Sequence, residues 1–192
     1  MPIEAFTHIN LAFINFDSDF KLVPEHDDWV KRTVLRKLEH PSLRINVAIG
    51  GWAFNDPPTS TYFSDMVHSY EGRAAWIKSV TDFIRHYGLD GVDVDWEYPT
   101  ADDRGGKKGD AALLNQVLAE LREAFDAEGT DWEISMTIPT SYWYMKGFDM
   151  ENLQDKVDYF NFMTYDIHGM WDFDNEVGFH IPGSSVCKLD SY

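Results

Sequence analysis

Three acidic residues occupy alternate positions near the middle of the sequence. Asp93, Asp95 and Glu97 are each separated by one apolar residue. In a β-strand, this alternation directs the acids to one face and the apolar side chains to the other. Strands are depleted in Asp, and neighbouring carboxyl groups on one face raise each other's pKa. We therefore expect at least one of the three to hold a proton at neutral pH and to take part in proton transfer.

Glu97 is the strongest candidate for a general acid. It has the longest side chain of the three acids, and it precedes Tyr98 and Pro99, where the strand should end. In a parallel α/β barrel, the carboxyl ends of the strands open into the active site. Asp95 and Asp93 would lie behind Glu97 as proton partners. An acidic edge strand facing water is the alternative, and the Val and Trp side chains of the opposite face disfavour it because they require burial.

The acidic stretch resembles the signature of a known enzyme family. Residues 90–97 read Asp-Gly-Val-Asp-Val-Asp-Trp-Glu and resemble the DGxDxDxE motif of glycoside hydrolase family 18, the chitinases and their relatives. Asp90 and Gly91 open this motif. Two further segments, 48–52 and 163–166, are similar to the SxGG and MxYD strands of that family, and Gly50 and Gly51 form the glycine pair. The sequences of residues 51–54, 103–106, 139–144 and 166–172 resemble those of the fungal, killer-toxin-like branch of the family.

The resemblance implies hydrolysis of β-1,4 links between N-acetylglucosamine units with retention of configuration. In this family the acetamide oxygen of the substrate is the nucleophile, which departs from the scheme with two carboxylates. Glu97 would protonate the glycosidic oxygen and later activate water. Asp95 would turn towards Glu97 and the acetamide N–H, and Asp93 would exchange a proton with Asp95. The resemblance implies no metal ion and no cofactor, and His8 and His168 do not match a metal-binding spacing.

Further residues are candidates for holding the sugar. Tyr165 and Asp166 resemble the pair that binds the acetamide and the distorted sugar, and Met163 would shape the pocket beneath. Aromatic rings pack well against the C–H faces of sugars. The aromatic candidates for substrate contact are Trp52, Tyr98, Trp143 and Trp171. Each tryptophan could equally be a core residue, and Trp171 is favoured because its loop is polar and contains glycine.

The composition limits the classes of partner. The formal net charge of the 192 residues is -17, which argues against a nucleic acid or an anionic membrane surface because either requires a basic patch. A neutral polymer such as chitin remains compatible. The single cysteine, Cys187, excludes an internal disulfide and a Cys-rich metal site. No apolar run reaches the roughly 18 residues that span a bilayer, and we expect a monomer.

The pattern of elements predicts parallel βα units. The predicted strands are residues 7–16, 44–51, 89–99, 132–139 and 157–165. The predicted helices are residues 27–38 with an apolar stripe that includes Leu38, residues 73–87 ending at Gly88, a helix capped by Asp110, and a short helix near 149–155. Residues 100–109 read as a long mobile loop because they are rich in glycine and charge. Strands that alternate with helices at this spacing indicate an α/β fold with a parallel sheet.

Five strands are fewer than a complete barrel contains. An eight-stranded (β/α)8 barrel takes about 250 residues, so we expect a partial barrel made of the second to sixth strands of the family, spanning residues 1–192. The first, seventh and eighth strands would be missing. The first residues, Met1 to Glu4, lack the basic and apolar regions of a signal peptide. The family resemblance nevertheless implies secretion, and we expect this chain to be part of a longer chitinase.

Departures from the family pattern concern the partners of the acids. Ala48 stands where the family has a serine that hydrogen-bonds near Asp93, and the absent first strand would supply a tyrosine to the same acid. We therefore expect Asp93 to lack both partners, and we expect the pH profile of activity to shift when Ala48 is replaced by Ser. The absent eighth strand would bring the tryptophan beneath the sugar that is distorted during the reaction.

Three functions remain open from the sequence. The first is a chitinase, which in this form could be weak or inactive. The second is a non-catalytic lectin that binds chitin on the same scaffold. Lectins of the family commonly lose the acid at the position of Glu97, whereas this chain retains it. The third is an endo-acting enzyme that cuts the chitobiose core of N-glycans, and it shares the same motif.

Overall fold

The computed structural model describes residues 3–24 and 27–167. Over these residues the strands are β1 (His8–Ala12), β2 (Asn15–Phe16), β3 (Leu22–Val23), β4 (Arg44–Gly50), β5 (Gly91–Asp95), β6 (Glu133–Pro139) and β7 (Tyr159–Met163). The α-helices are α1 (Asp28–Val34), α2 (Tyr62–His68), α3 (Tyr70–Tyr87), α4 (Asp110–Ala127), α5 (Tyr142–Met145) and α6 (Met150–Leu153). Four 3-10 helices cover Ile3–Ala5, Leu35–Leu38, Trp52–Asn55 and Asp102–Arg104.

The main sheet is a partial (β/α)8 barrel. Its five strands have the order β1-β4-β5-β6-β7, so spatial order follows chain order, and every neighbouring pair is parallel. Helices lie in each of the connections between these strands. A strand was predicted at each of these five places in the sequence, and the parallel α/β fold is confirmed.

The outer face of β5 packs against helices. Val92, Val94 and Trp96 are buried, and the Trp96 ring stacks on Phe63 of α2 with centroids 5.3 Å apart. Burial of these side chains stabilises the sheet by roughly 1.5–3 kcal/mol for each large apolar residue. Helix α3 buries its apolar face and ends at Gly88, whose φ of 69° is the left-handed conformation that favours glycine. The predicted separation of acidic and apolar faces on β5 is therefore confirmed.

The first predicted strand is interrupted. Residues 7–16 were expected to form one strand, but the chain leaves the main sheet after Ala12, and Asn15–Phe16 pairs antiparallel with Leu22–Val23. The Asn15 side chain accepts a hydrogen bond from the Gly50 backbone N–H, which holds this hairpin beside the end of β4. The expected inward position of Leu38 is also wrong. Residues 35–38 form a 3-10 helix, which changes the angular spacing of the stripe and leaves Leu38 exposed.

The predicted loop at residues 100–109 has a defined conformation in the structure. It forms a 3-10 turn whose Arg104 side chain is buried. The residue expected to cap α4, Asp110, is instead its first residue, and Gly109 is the N-cap. The fully buried Asp110 carboxylate accepts hydrogen bonds from Ser64, His68 and the backbone N–H groups of Thr100 and Lys107. Asp110 therefore fixes the base of the loop to α2.

Gly50 gives a testable consequence of the close packing between β4 and β5. Its φ is 118°, and a Cβ atom there would lie 1.9 Å from the carbonyl oxygen of Asp95. Gly50→Ala is expected to lower the free energy of unfolding by more than ~3 kcal/mol, or to prevent folding. The backbone conformation would be strained for alanine, and its Cβ atom would overlap the Asp95 carbonyl oxygen. The matched control is Gly129→Ala, because Gly129 also has a positive φ of 68° but no atom within 4 Å. Urea unfolding of both variants measures the difference, and equal losses would contradict the packing.

Candidate active site

Asp93, Asp95 and Glu97, together called the acid row, lie on the inner face of the sheet. Asp93 of β5 is in register with Ala48 of β4 and Ser135 of β6. The exposed fractions of Asp93, Asp95 and Glu97 are 4%, 7% and 6%. Strand β5 ends at Asp95, so Glu97 follows the strand at its carboxyl end. The three acids are therefore enclosed together.

Asp93 is supplied with hydrogen-bond donors by the next two strands. Its Oδ1 atom accepts bonds from Ser135 Oγ at 2.6 Å and Asn161 Nδ2 at 2.9 Å, and its Oδ2 atom accepts one from Thr137 Oγ1 at 3.1 Å. These donors come from β6 and β7, and they are different from the serine and the tyrosine that Asp93 was expected to lack. Ala48 leaves one side of the carboxyl group without a hydroxyl, but β6 and β7 provide three donors on the other side.

Burial sets the protonation of Asp95. Its Oδ1 atom is enclosed and has no hydrogen-bond partner among the described residues. Desolvation first, and then the negative charges of Glu97 and Asp93, raise the pKa of Asp95 to about 8. Asp95 is therefore protonated at neutral pH, and the prediction that one acid of the row holds a proton agrees with this shift.

Glu97 is also held towards its protonated form. Burial raises the pKa of Glu97, and the charges on Asp166 and Asp56 act in the same direction. The Tyr98 hydroxyl and the Arg104 guanidinium oppose this shift. The carboxyl group of Glu97 thus retains a proton to higher pH than an exposed glutamic acid does.

Asp90, Gly91 and Gly51 of the motifs have structural roles. The Asp90 carboxylate lies 2.7 Å from Lys37 Nζ and accepts a bond from the Ile45 backbone N–H, which ties β4 to the start of β5. A Cβ atom on Gly91 would lie 2.2 Å from the backbone oxygen of Glu133. A Cβ atom on Gly51 would lie 2.7 Å from the ring of Phe13. Close packing between strands thus requires glycine at position 91, and the positive φ of 81° favours glycine at position 51.

The MxYD segment lies beside the acid row. Met163 ends β7 and is partly buried against the core. Tyr165 is exposed, and after desolvation the charges of Asp95 and Glu97 are the main causes that raise the pKa of its hydroxyl. Asp166 has a positive φ of 51°, and its charge acts on Glu97. The structure therefore brings the two motifs together at the carboxyl ends of β5 and β7.

The aromatic candidates have different environments. Trp52 is 53% exposed, and Trp143 on α5 is exposed with Lys146 Nζ 3.5 Å from its ring centroid. Tyr98 is buried, and its ring stacks on Tyr144 with centroids 4.1 Å apart. The fourth aromatic candidate, Trp171, lies outside the described residues, as do His168 and Cys187. Short helix α5, which carries Trp143, was not predicted.

Residues 3–24 and 27–167 contain neither a metal-binding cluster nor a membrane-spanning helix. In this part of the chain, no three His, Cys, Asp or Glu side chains are grouped so that they could hold a metal ion. None of its helices combines the length and the apolar character needed to cross a membrane.

Comparison with known proteins identifies the family. The sequence profile of glycosyl hydrolases family 18 matches residues 1–184. The chain belongs to this family. It is 36% identical over 180 residues to an endochitinase of Manduca sexta, a match that covers 89% of this chain and 32% of that protein. It is 31% identical over 191 residues to the killer toxin subunits alpha/beta of Kluyveromyces lactis, with 97% of this chain and 16% of that protein covered.

Solved structures of the family have the same fold. The Ostrinia furnacalis Group IV chitinase in complex with allosamidin superposes with a TM-score of 0.80 at 28% identity, and the match covers 90% of this chain and 46% of that one. This chain therefore spans less than half of the lengths of these family 18 relatives. The family prediction made from the motifs is confirmed, and a killer toxin is among the relatives.

Three residues of this family 18 site were missed from the sequence. Ser135, Thr137 and Asn161 all contact Asp93. Ser135 and Thr137 alternate with buried apolar residues on β6. This two-residue periodicity is the sequence pattern that also revealed the acid row, and it could have indicated these two residues. Identifying them requires the register between β5, β6 and β7.

Ser135→Ala tests the contribution of these partners. Removing the hydroxyl 2.6 Å from the buried Asp93 carboxyl should lower the free energy of unfolding by about 1–2 kcal/mol, because an acceptor loses its donor away from water. The exposed Ser141 makes no side-chain capping bond and provides the control Ser141→Ala. Denaturant unfolding should place that control within ~0.5 kcal/mol of the unmodified chain. Equal stability of all three proteins would show that the bond contributes nothing.

Proposed function

We propose that this chain hydrolyses β-1,4 links between N-acetylglucosamine units in chitin or its oligosaccharides. The observation that carries the proposal is the enclosed acid row, in which Asp95 has a pKa of about 8 and Glu97 lies at the carboxyl end of the strand. The relatives named endochitinase and chitinase support the same substrate class. We infer further that the chain provides the second to sixth strands of the family barrel.

Glu97 is the proposed general acid. Protonation of the glycosidic oxygen requires a carboxyl group that still holds its proton near neutral pH, and burial raises the pKa of Glu97 in that direction. After the leaving sugar departs, the resulting carboxylate accepts a proton from water. The same residue therefore serves both steps.

The substrate's acetamide oxygen is the proposed nucleophile. Its attack on the anomeric carbon expels the leaving sugar and forms an oxazolinium ion with inverted configuration. Asp95 turns towards Glu97 and accepts a hydrogen bond from the acetamide N–H, which stabilises the positive charge. Asp93 takes the proton that Asp95 releases, and its three donors hold it in place during the exchange. Water then attacks the same carbon, and the original configuration is restored.

Tyr165 and Asp166 are proposed to hold the acetamide and the distorted sugar, with Met163 beneath them. Trp52 is proposed as a stacking surface because about half of its area is exposed next to the glycine pair. Tyr98 is buried, so we assign it a role through its hydroxyl beside Glu97. Because a relative is named a secreted chitinase, we infer that this chain also acts outside the cell.

The proposed function is tested with two fluorogenic glycosides. The purified chain should release fluorophore from a glycoside of tri-N-acetylchitotriose and should leave the matching cellotriose glycoside intact, because glucose lacks the acetamide nucleophile. Cleavage of both glycosides would contradict catalysis by the substrate's acetamide. Binding of chitotriose without release of fluorophore would favour the lectin.

A further inference from the structure

Arg104 makes an unusual set of contacts around the proposed active site. Its side chain is 8% exposed although it carries a charge. Its Nε atom donates to the main-chain oxygen of Glu97 at 3.1 Å, and one terminal nitrogen donates to the main-chain oxygen of Trp52 at 2.8 Å. The other terminal nitrogen lies 2.6 Å from Asp56 Oδ1. The guanidinium is thus paired and bonded to two separate segments of the site.

The same guanidinium covers the Trp52 ring. Its central carbon lies 3.7 Å from the ring centroid, within the range of a cation–π contact. With this contact in place, Trp52 is still 53% exposed to solvent. The proposed sugar-stacking ring therefore rests on a buried cation.

Glu97 needs such a support because the sheet does not provide one. Strand β5 ends at Asp95, so the carbonyl of Glu97 lies beyond the parallel ladder. The bond from Arg104 fixes this carbonyl and hence the direction of the Glu97 side chain. Without this bond, the peptide that follows Glu97 would lose the contact that holds its orientation.

The glycines after Arg104 explain how the loop delivers the side chain. Gly105 has a φ of 74°, and a Cβ atom on it would lie 2.5 Å from the Ser60 carbonyl oxygen. A Cβ atom on Gly106 would lie 2.5 Å from the Ala101 backbone nitrogen. A larger residue at position 105 would push the loop away from Ser60, and one at position 106 would push it away from residues 98–101, so either change would move Arg104.

We propose that Arg104 is a positioning residue that holds the main chain of Glu97 and the ring of Trp52 in a fixed relation. This inference rests on the proposed function, because it joins the acid and the sugar-stacking ring of the same reaction. Lys cannot replace it, since an ammonium group lacks the planar fork that bonds two carbonyl groups while it stacks on a ring.

The test compares Arg104→Lys with Arg73→Lys. Arg73 is the matched control because its side chain is also 8% exposed and paired, with Glu120, on helix α3. Two readouts are recorded: kcat and KM on the chitotriose glycoside, and the 19F resonance of Trp52 in protein labelled with 5-fluorotryptophan. The Trp52→Phe variant assigns that resonance.

Arg104→Lys should lower kcat by roughly 10- to 100-fold and raise KM, because small displacements of reacting groups have effects of this size. It should also shift the Trp52 resonance. Arg73→Lys should leave that resonance unshifted and should keep kcat and KM within about 2-fold of the values of the unmodified chain. Unchanged kinetics in Arg104→Lys, or equal changes in both variants, would overturn the proposal.

Failure of the proposed function gives a different result. In that case the unmodified chain and Arg73→Lys would both lack hydrolysis. The Trp52 resonance would still report on Arg104 without any substrate. An unshifted resonance in Arg104→Lys would overturn the positioning role in that case as well.

Discussion

Glu97→Gln is expected to lower kcat on chito-oligosaccharides by about 10²- to 10⁴-fold, the range that a positioned general acid contributes. The amide has nearly the shape of the protonated acid, so it keeps the packing of the enclosed site but cannot donate a proton that ionises. KM should change little, because the substitution leaves the proposed sugar contacts of Tyr165, Asp166 and Trp52 in place. Initial rates on the chitotriose glycoside measure both constants.

The control for this loss is Glu123→Gln. Glu123 is an exposed residue of helix α4, so the same chemical change there should leave kcat unaltered. A Glu97→Gln variant that retains the rate of the unmodified chain would remove Glu97 from the role of acid.

Asp95→Asn is expected to lower kcat by roughly 10²-fold, because the carboxamide cannot become the carboxylate that is proposed to stabilise the oxazolinium ion. Binding should weaken less than catalysis. Because Asp95 is enclosed, the substitution should also change the stability of the fold. This second effect can be measured without substrate.

The sign of that effect follows from the pKa of Asp95, which rises from 3.8 in the unfolded chain to about 8 in the folded one. Between these values the folded state binds more protons than the unfolded state at this residue, so its contribution to stability falls as the pH rises. Asn carries no titrating group. The melting temperature of Asp95→Asn minus that of the unmodified chain should therefore increase between pH 5 and pH 8.5.

The exposed Asp126 on α4 provides the comparison for this experiment. Asp126→Asn should follow the unmodified chain across the same pH range. If the difference between Asp95→Asn and the unmodified chain stays constant with pH, the raised pKa of Asp95 is incorrect.

Local periodicity allowed much of this site to be predicted. The alternation of acids with Val and Trp indicated a strand with one buried apolar face, and the glycine pair indicated the end of a strand. These are properties of neighbouring residues, so a single sequence carries them. The acid row, the five parallel strands and the end of α3 at Gly88 were predicted for this reason. The MxYD segment was identified from its resemblance to the family.

Contacts between distant segments could not be predicted in the same way. The donors to Asp93 depend on the register of three strands, and the four bonds of Asp110 depend on how a loop returns to α2. Arg104 reads in the sequence as one charge in a polar loop. Its burial is possible only because Asp56, two carbonyl groups and the Trp52 ring meet around it.

The central claim, that the substrate's own acetamide is the nucleophile in a site built on Glu97 and Asp95, is tested most directly by the first product formed. Proton NMR spectra recorded during the initial cleavage of penta-N-acetylchitopentaose distinguish the two anomers before they equilibrate. The mechanism predicts that the new reducing end appears as the β-anomer, and that the fully deacetylated pentamer is not cleaved. Initial formation of the α-anomer, or cleavage of the deacetylated pentamer at a similar rate, would contradict it.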